Sequence, residues 1–131
     1  MQNETKRISS GSPWETTSGY VRAVAGRDLI CVSATAATDA DGQVMCRGDM
    51  EGQTAVILEK MAAVLAQAGA GLGDVLQTRL YLTDITRAAE AGRAHARAFA
   101  DTPPALSLIH VLPFVDPGML IEIELIAERP R

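Results

Sequence analysis

The chain is 131 residues long and 47% hydrophobic, enough to bury the core of one domain without disulfide or metal staples, so a single domain over 1–131 is expected. Charged residues make up 21%, the formal net charge is -4 and the pI is near 5.1, which leaves no basic footprint for nucleic acid or an anionic membrane. No run approaches the roughly 18 apolar residues of a membrane span, and residues 1–7 lack the apolar stretch of a leader, so a soluble cytoplasmic protein is expected.

Residues 1–18 are rich in Ser, Thr, Gly and Pro, which predicts an irregular lead-in, part of it tied to a sheet. Tyr20 to Ala25 and Leu29 to Thr35 are β-favouring runs, and Gly26-Arg27-Asp28 between them predicts a hairpin. Asp39-Ala40-Asp41-Gly42 is a turn signal. From Asp49 to about Ala68, Ile57, Met61, Val64, Leu65 and Ala68 share one face of a predicted helix, and Gly69, Gly71 and Gly73 end it. In the next run, to Leu82, Leu76, Thr78, Leu80 and Leu82 alternate with Val75, Gln77, Arg79 and Tyr81, the pattern of a half-buried strand.

Asp84 is a candidate N-cap for a second helix from about Ile85 to Phe99, with Ile85, Ala88, Ala89, Gly92, Ala96 and Phe99 on the inner face. Pro103-Pro104 stops it. Strand patterns over Ala105 to Val111 and Met119 to Ala127 close the chain, with Pro113 to Gly118 as a loop. The order β-β-α-β-α-β-β predicts an α+β sandwich with both helices on one face of the sheet. The final strand is apolar except at Glu122 and Glu124, so burial of the second sheet face in a closed oligomer is expected, with dimer and trimer both open at this point.

No P-loop, HExxH, GxSxG or dinucleotide glycine fingerprint occurs, and no His/Cys/Asp/Glu cluster has ligand spacing, so neither metal nor cofactor is expected. Gly69 to Gly73 follows a helix instead of opening one, the wrong place to cradle phosphate. Cys31 and Cys46 form no Cys-x-x-Cys pair and are read as buried or inert thiols. His95 and His110 are read as structural or surface residues, because no acid or Cys stands near either at ligand spacing. Glu122 and Glu124 fall on one strand face among apolar neighbours, and the spacing admits two readings. They pair with Arg or Lys across a subunit interface, or one of them positions a water or proton in a cleft.

Gly19 to Val24, Asp28 to Ser33, Asp74 to Asp84, Pro104-Ala105 and Ile121 to Ala127, taken together, resemble the RidA (YjgF-type) family. Gly19-Tyr20-Val21-Arg22-Ala23-Val24 and Asp28-Leu29-Ile30-Cys31-Val32-Ser33 are similar to its opening Pro-Tyr-Ser-Gln-Ala and Val-Phe-Val-Ser-Gly-Gln strands. Gln53-Thr54, Ala68-Gly69-Ala70 and Asp74-Val75-Leu76-Gln77-Thr78-Arg79-Leu80-Tyr81-Leu82-Thr83-Asp84 follow its helix and central strand. Pro104-Ala105 and Ile121-Glu122-Ile123-Glu124-Leu125-Ile126-Ala127 resemble its Pro-Ala-Arg and Val-Glu-Ile-Glu-Ala-Ile-Ala signatures.

The resemblance implies a chorismate-mutase-like fold, a homotrimer around a barrel-like core, and small-molecule clefts between subunits. It also implies hydrolysis of reactive imines or enamines to an oxo acid and ammonia, without cofactor. Carried over position by position, Tyr20 lines the cleft, Ser33 sits beside it, Glu122 holds the attacking water, and the backbone near Leu108 helps to place that water. Leu106 departs from the pattern, standing where deaminating members carry an arginine for the substrate carboxylate. Ala34-Thr35 replaces the family's Gly-Gln, and Gly92 its helix asparagine. Loss of the arginine removes a charge-assisted pair of roughly 1.5–3 kcal/mol, which favours a substrate without that carboxylate or a cleft that binds without turnover. Arg22, on the same strand face as Tyr20, is a candidate compensating cation; an interface or surface ion pair is its other reading. A ribonuclease role finds no footing in an acidic chain with 4% aromatic residues.

Overall fold

The computed structural model describes residues 3–131. A mixed six-stranded sheet carries two long helices on one face. Its strands are β1 (Lys6–Ile8), β2 (Ala23–Ala25), β3 (Leu29–Ala36), β4 (Val75–Leu82), β5 (Ala105–His110) and β6 (Ile121–Glu128). The spatial order is β1-β2-β3-β6-β4-β5, and every neighbouring pair is antiparallel except β4 and β5. That parallel pair needs a crossover, and α3 (Ala88–Ala98) lies within it. The expected alternation of helices and strands and their placement on one sheet face are both present. Among the described residues no helix is long and apolar enough to cross a membrane.

Helix α2 (Met50–Gln67) starts at Asp49, whose side chain accepts the Gly52 N–H at 2.9 Å, and ends before Gly69, whose φ of 76° suits a residue without Cβ. Its inner stripe of Met50, Ile57, Leu58, Met61 and Leu65 packs on Ile30, Val32, Leu80, Leu82, Ile121, Ile123 and Leu125. Two polar residues share that stripe. Thr54 bonds back to the Met50 carbonyl at 2.8 Å. Gln53, fully buried, donates to the Gly118 carbonyl at 2.8 Å and accepts the Leu120 N–H at 2.9 Å, so it splints the entry of β6 to the helix.

The lead-in differs in part from expectation. Residues 6–8 form an edge strand, the expected tie to the sheet, but α1 (Pro13–Ser18) is a short helix where irregular chain was expected. Ser12 caps it, Pro13 supplies a preset φ at its first position, and Gly19 closes it at φ 72°. The hairpin strand expected from Tyr20 begins only at Ala23.

Helix α3 is rotated from its expected face. Ala91, Ala94, His95 and Phe99 are buried, whereas Ile85, Ala89 and Ala96 are exposed, and residues 85–87 form a 3-10 turn. The stripe turns because His95 points inward, its Nε2 2.8 Å from the Thr78 hydroxyl and its ring 4.6 Å from that of Phe99. In β4 the expected alternation holds from Thr78 to Leu82, but a register shift between Val75 and Gln77 buries Val75 and exposes Leu76. Cys31 and Cys46 are both exposed, Cys31 on the open sheet face opposite Ile126, so the expectation of buried thiols does not hold.

Candidate functional site

Period-2 alternation divides β6 cleanly. Ile121, Ile123, Leu125 and Ala127 are buried under the helices, and Glu122, Glu124 and Ile126 face the open side of the sheet. The two glutamates then part ways. Glu124 lies opposite Arg79 with an N–O separation of 3.7 Å, and it accepts a short hydrogen bond from the Tyr81 hydroxyl. That bond, with burial and the carboxylate charge, pushes the Tyr81 phenol up. Glu122 lies opposite Tyr81 on one side and Ala36 on the other. Tyr81 leans away to Glu124 and Ala36 has no polar side chain, so no described residue hydrogen-bonds or ion-pairs with Glu122. Burial raises its pKa above the ordinary 4.5, against the opposing pull of the Arg22 charge.

A wide cavity of about 850 Å³ opens at this end of the sheet, and Glu122, Tyr20, Arg22, Thr35, Lys60 and Trp14 are among its walls. Arg22 is held in place by its own chain. One terminal nitrogen donates to the Ala34 carbonyl at 2.8 Å and to Thr35 Oγ1 at 3.0 Å, and the guanidinium lies 5.6 Å from the centre of the Tyr20 ring. Lys60 directs its ammonium at the Ala36 carbonyl, the Thr38 carbonyl and Thr38 Oγ1, at 2.8, 2.9 and 3.0 Å. All three of its donors are engaged, and burial, with the Arg22 charge, lowers its pKa.

Ser33 sits in the β-bulge between Val32 and Thr35, where the β3–β6 register shifts. Its hydroxyl donates to the Val21 carbonyl and its N–H to the Arg22 carbonyl, both at 2.8 Å, so it fastens the Tyr20–Arg22 segment from behind and does not line the cavity. Leu106 and Leu108 stand apart from the others. They pair with Thr78 and Leu80 on the parallel edge strand, which turns their side chains to the helix side, and each is 43% exposed. One chain therefore assembles Tyr20, Arg22 and Glu122 and leaves Leu106 and Leu108 at a distant edge. Gly92 is in α3 with open space around its Cα. No three His, Cys, Asp or Glu side chains gather as a metal site among the described residues.

Trp14 and Lys60 are among the wall residues that escape the sequence reading. Ser12-Pro13-Trp14-Glu15 carries the Ser-x-x-Glu spacing of a helix start with Pro at its first position, a signal hidden by the Ser/Gly composition around it.

The profile of the family described as Endoribonuclease L-PSP matches residues 11–129. The chain belongs to this family, the RidA or YjgF family. It is 35% identical over 124 residues to the uncharacterized protein SCO2049 of Streptomyces coelicolor, covering 95% of this chain and 92% of that one. It is 31% identical over 108 residues to the 3-aminoacrylate deaminase RutC of Acinetobacter baylyi, covering 82% and 85% of the two chains. Among solved structures, Rv2704 of Mycobacterium tuberculosis, a member of the YjgF/YER057c/UK114 family, superposes with a TM-score of 0.84 at 39% identity, over 95% of this chain and 99% of that one. The E. coli YjgF gene product superposes with a TM-score of 0.81 at 25% identity, over the same shares. The fold is thus the chorismate-mutase-like fold of that family.

Proposed function

We propose that this RidA-family protein is a cofactor-independent hydrolase of imines or enamines, working in clefts between the subunits of a homotrimer. The observation that carries the reading is Glu122, a half-buried carboxylate without a partner of its own, facing a cavity that it shares with Tyr20 and Arg22. Such a group is poised to hold a water and take its proton. The water oxygen bonds to the imine carbon while Glu122 takes one water proton and passes it to the imine nitrogen, giving a carbinolamine; the carbinolamine hydroxyl proton then moves through Glu122 to the same nitrogen as the C–N bond breaks, leaving a carbonyl and ammonia. Tyr20 supplies a hydroxyl at the cavity wall, and Ser33 acts by positioning the Tyr20–Arg22 segment. The 31% identity to a 3-aminoacrylate deaminase supports the substrate class, since an aminoacrylate is itself an enamine.

The intersubunit element of the reading rests on Leu106 and Leu108, which can join Glu122 only from another copy of the chain. Light scattering is expected to give about 42 kDa, three times the 13.9 kDa subunit; a monomer at micromolar concentration rules this element out. Ribonuclease chemistry, the literal sense of the family's description, is disfavoured by a net charge of -4.

The deciding experiment is turnover of 2-iminopropionate, generated in place by an amino acid oxidase from alanine, in wild type and Glu122→Gln. Loss of turnover with the oligomer intact supports the hydrolase. One observation favours a second reading, a trimer that binds a small metabolite or a partner protein without chemistry: Leu106 leaves that edge without the arginine that fixes a carboxylate. In that case Glu122→Gln changes affinity or stability alone.

A further inference from the structure

Trp14 is the only tryptophan of the chain, it is 63% exposed, and it stands in the wall of the same cavity as Arg22 and Glu122. Its place in that wall is set by the segment that carries it. Residue 15, next to it, is locked. The Glu15 side chain is 5% exposed and accepts from the Ser9 hydroxyl at 2.7 Å, from the Ser10 N–H at 3.1 Å and from the Ser10 hydroxyl. Those hydrogen bonds outweigh burial and hold the carboxylate below its ordinary 4.5. The Glu15 carbonyl accepts the N–H of Gly19 at 2.9 Å and of Tyr20 at 3.0 Å. Trp14 is thereby fixed to the backbone of Tyr20, whose ring in turn lies beside the Arg22 guanidinium. The short helix is a bracket that holds the indole in the cavity wall.

Arg22 offers the complementary element. Three of its five N–H groups point to the Ala34 carbonyl, Thr35 Oγ1 and, at 3.5 Å, the Tyr20 hydroxyl. Its remaining donors have no described partner, and Leu106 supplies no cation.

We propose that Trp14 and Arg22 together set the ligand class of this cleft: a planar, conjugated molecule bearing a carboxylate, its plane against the indole and its charge on the guanidinium. The inference rests on the cleft being the ligand site. It adds residues and a chemistry that the Glu122 reading does not require. Rigid aromatic walls select flat π-systems over saturated chains, and guanidinium groups select carboxylates over neutral amides.

Because Trp14 is the sole indole, its fluorescence reports on this wall alone. Cinnamate serves as the planar carboxylate, 3-cyclohexylpropionate as its saturated counterpart and cinnamamide as its neutral one, with calorimetry in parallel. Cinnamate is expected to change Trp14 emission saturably and to bind roughly tenfold more tightly than either control. Trp14→Leu is expected to weaken cinnamate roughly tenfold, with Trp14→Phe recovering most of the loss, and Arg22→Gln to abolish the preference for cinnamate over cinnamamide.

The proposal is overturned by calorimetric binding that leaves Trp14 emission unchanged, by equal affinity for the saturated acid, by no cinnamate binding in either measurement, or by dissociation of the oligomer in Trp14→Leu. These failures are separable from that of the catalytic reading. Loss of turnover in Glu122→Gln beside an unselective Trp14 leaves the hydrolase standing without this wall. Unchanged turnover beside intact cinnamate selectivity leaves the wall standing in a binding protein.

Discussion

Glu122 and Glu124 occupy the same face of the same strand two residues apart, and their surroundings make them different groups. Glu124 has a guanidinium opposite and a phenol turned toward it, so its charge is answered within the chain. Glu122 has an alanine on one flank and, on the other, the phenol that turned away. The contrast teaches that strand alternation fixes which way a carboxylate points, whereas its chemistry is fixed by the cross-strand neighbours, and those come from segments more than 40 residues distant in sequence.

The sharpest way to break the comparison is to neutralise each member in turn. Glu122→Gln is expected to lower kcat on an imine substrate by on the order of 100-fold or more, and Glu124→Gln to leave it within about threefold, both read by steady-state ammonia release. Equal losses in the two variants would show that the whole sheet face, and not Glu122 alone, carries the activity. A second test works through the splint that sets where β6 begins. Gln53→Leu strands the Leu120 N–H and the Gly118 carbonyl, at a cost of about 3 kcal/mol by urea denaturation, and should disturb Glu122 before Glu124.

A smaller change erases the difference by giving Glu122 the partner it lacks. Ala36→Lys places an ammonium across the strand, and activity is expected to fall roughly tenfold through this added pair. The sign of the pH dependence follows from the raised pKa. In the proposed hydrolysis the water-holding form is the carboxylate, so wild-type kcat/KM should decline as pH falls through a value above 4.5, and in Ala36→Lys that limb should move to lower pH. The smallest effect is expected for Tyr81→Phe. Removing a partly exposed hydrogen bond to Glu124 should cost about 1 kcal/mol of stability by thermal melts and leave the acid limb of activity in place.

Much of the fold was legible because it follows local periodicity. The α2 stripe, the glycine that ends it and the 75–82 strand answer to rules that act over a few residues. The inner face of α3 was not, because a pattern count takes alanine as core and histidine as surface, whereas the Thr78 hydroxyl lets His95 turn inward. The lead-in was hidden for a related reason: its Ser and Gly residues signal loop, yet Ser9 and Ser10 serve the Glu15 carboxylate as hydrogen-bond donors. Tyr20 and Glu122 were legible from family resemblance and Arg22 from strand alternation, and all three line one cavity. Their separation from Leu106 and Leu108 was not, since it depends on sheet order, and nothing in the spacing of residues 105–122 says that β6 inserts between β3 and β4.

That insertion makes β6 a keystone in time as well as in space. The strand that sits mid-sheet is the one translated after the other five, so β1, β2 and β3 wait as one half and β4 and β5 as the other until residues 121–128 leave the ribosome. A chain cut near Gly118 keeps both long helices and five strands yet has two unjoined half-sheets with open edges, the form most prone to pair with other chains. The same eight residues carry Glu122. Closure of the sheet and delivery of the carboxylate to its cavity are therefore one event, and a chain ended before residue 121 has neither the joined sheet nor the carboxylate.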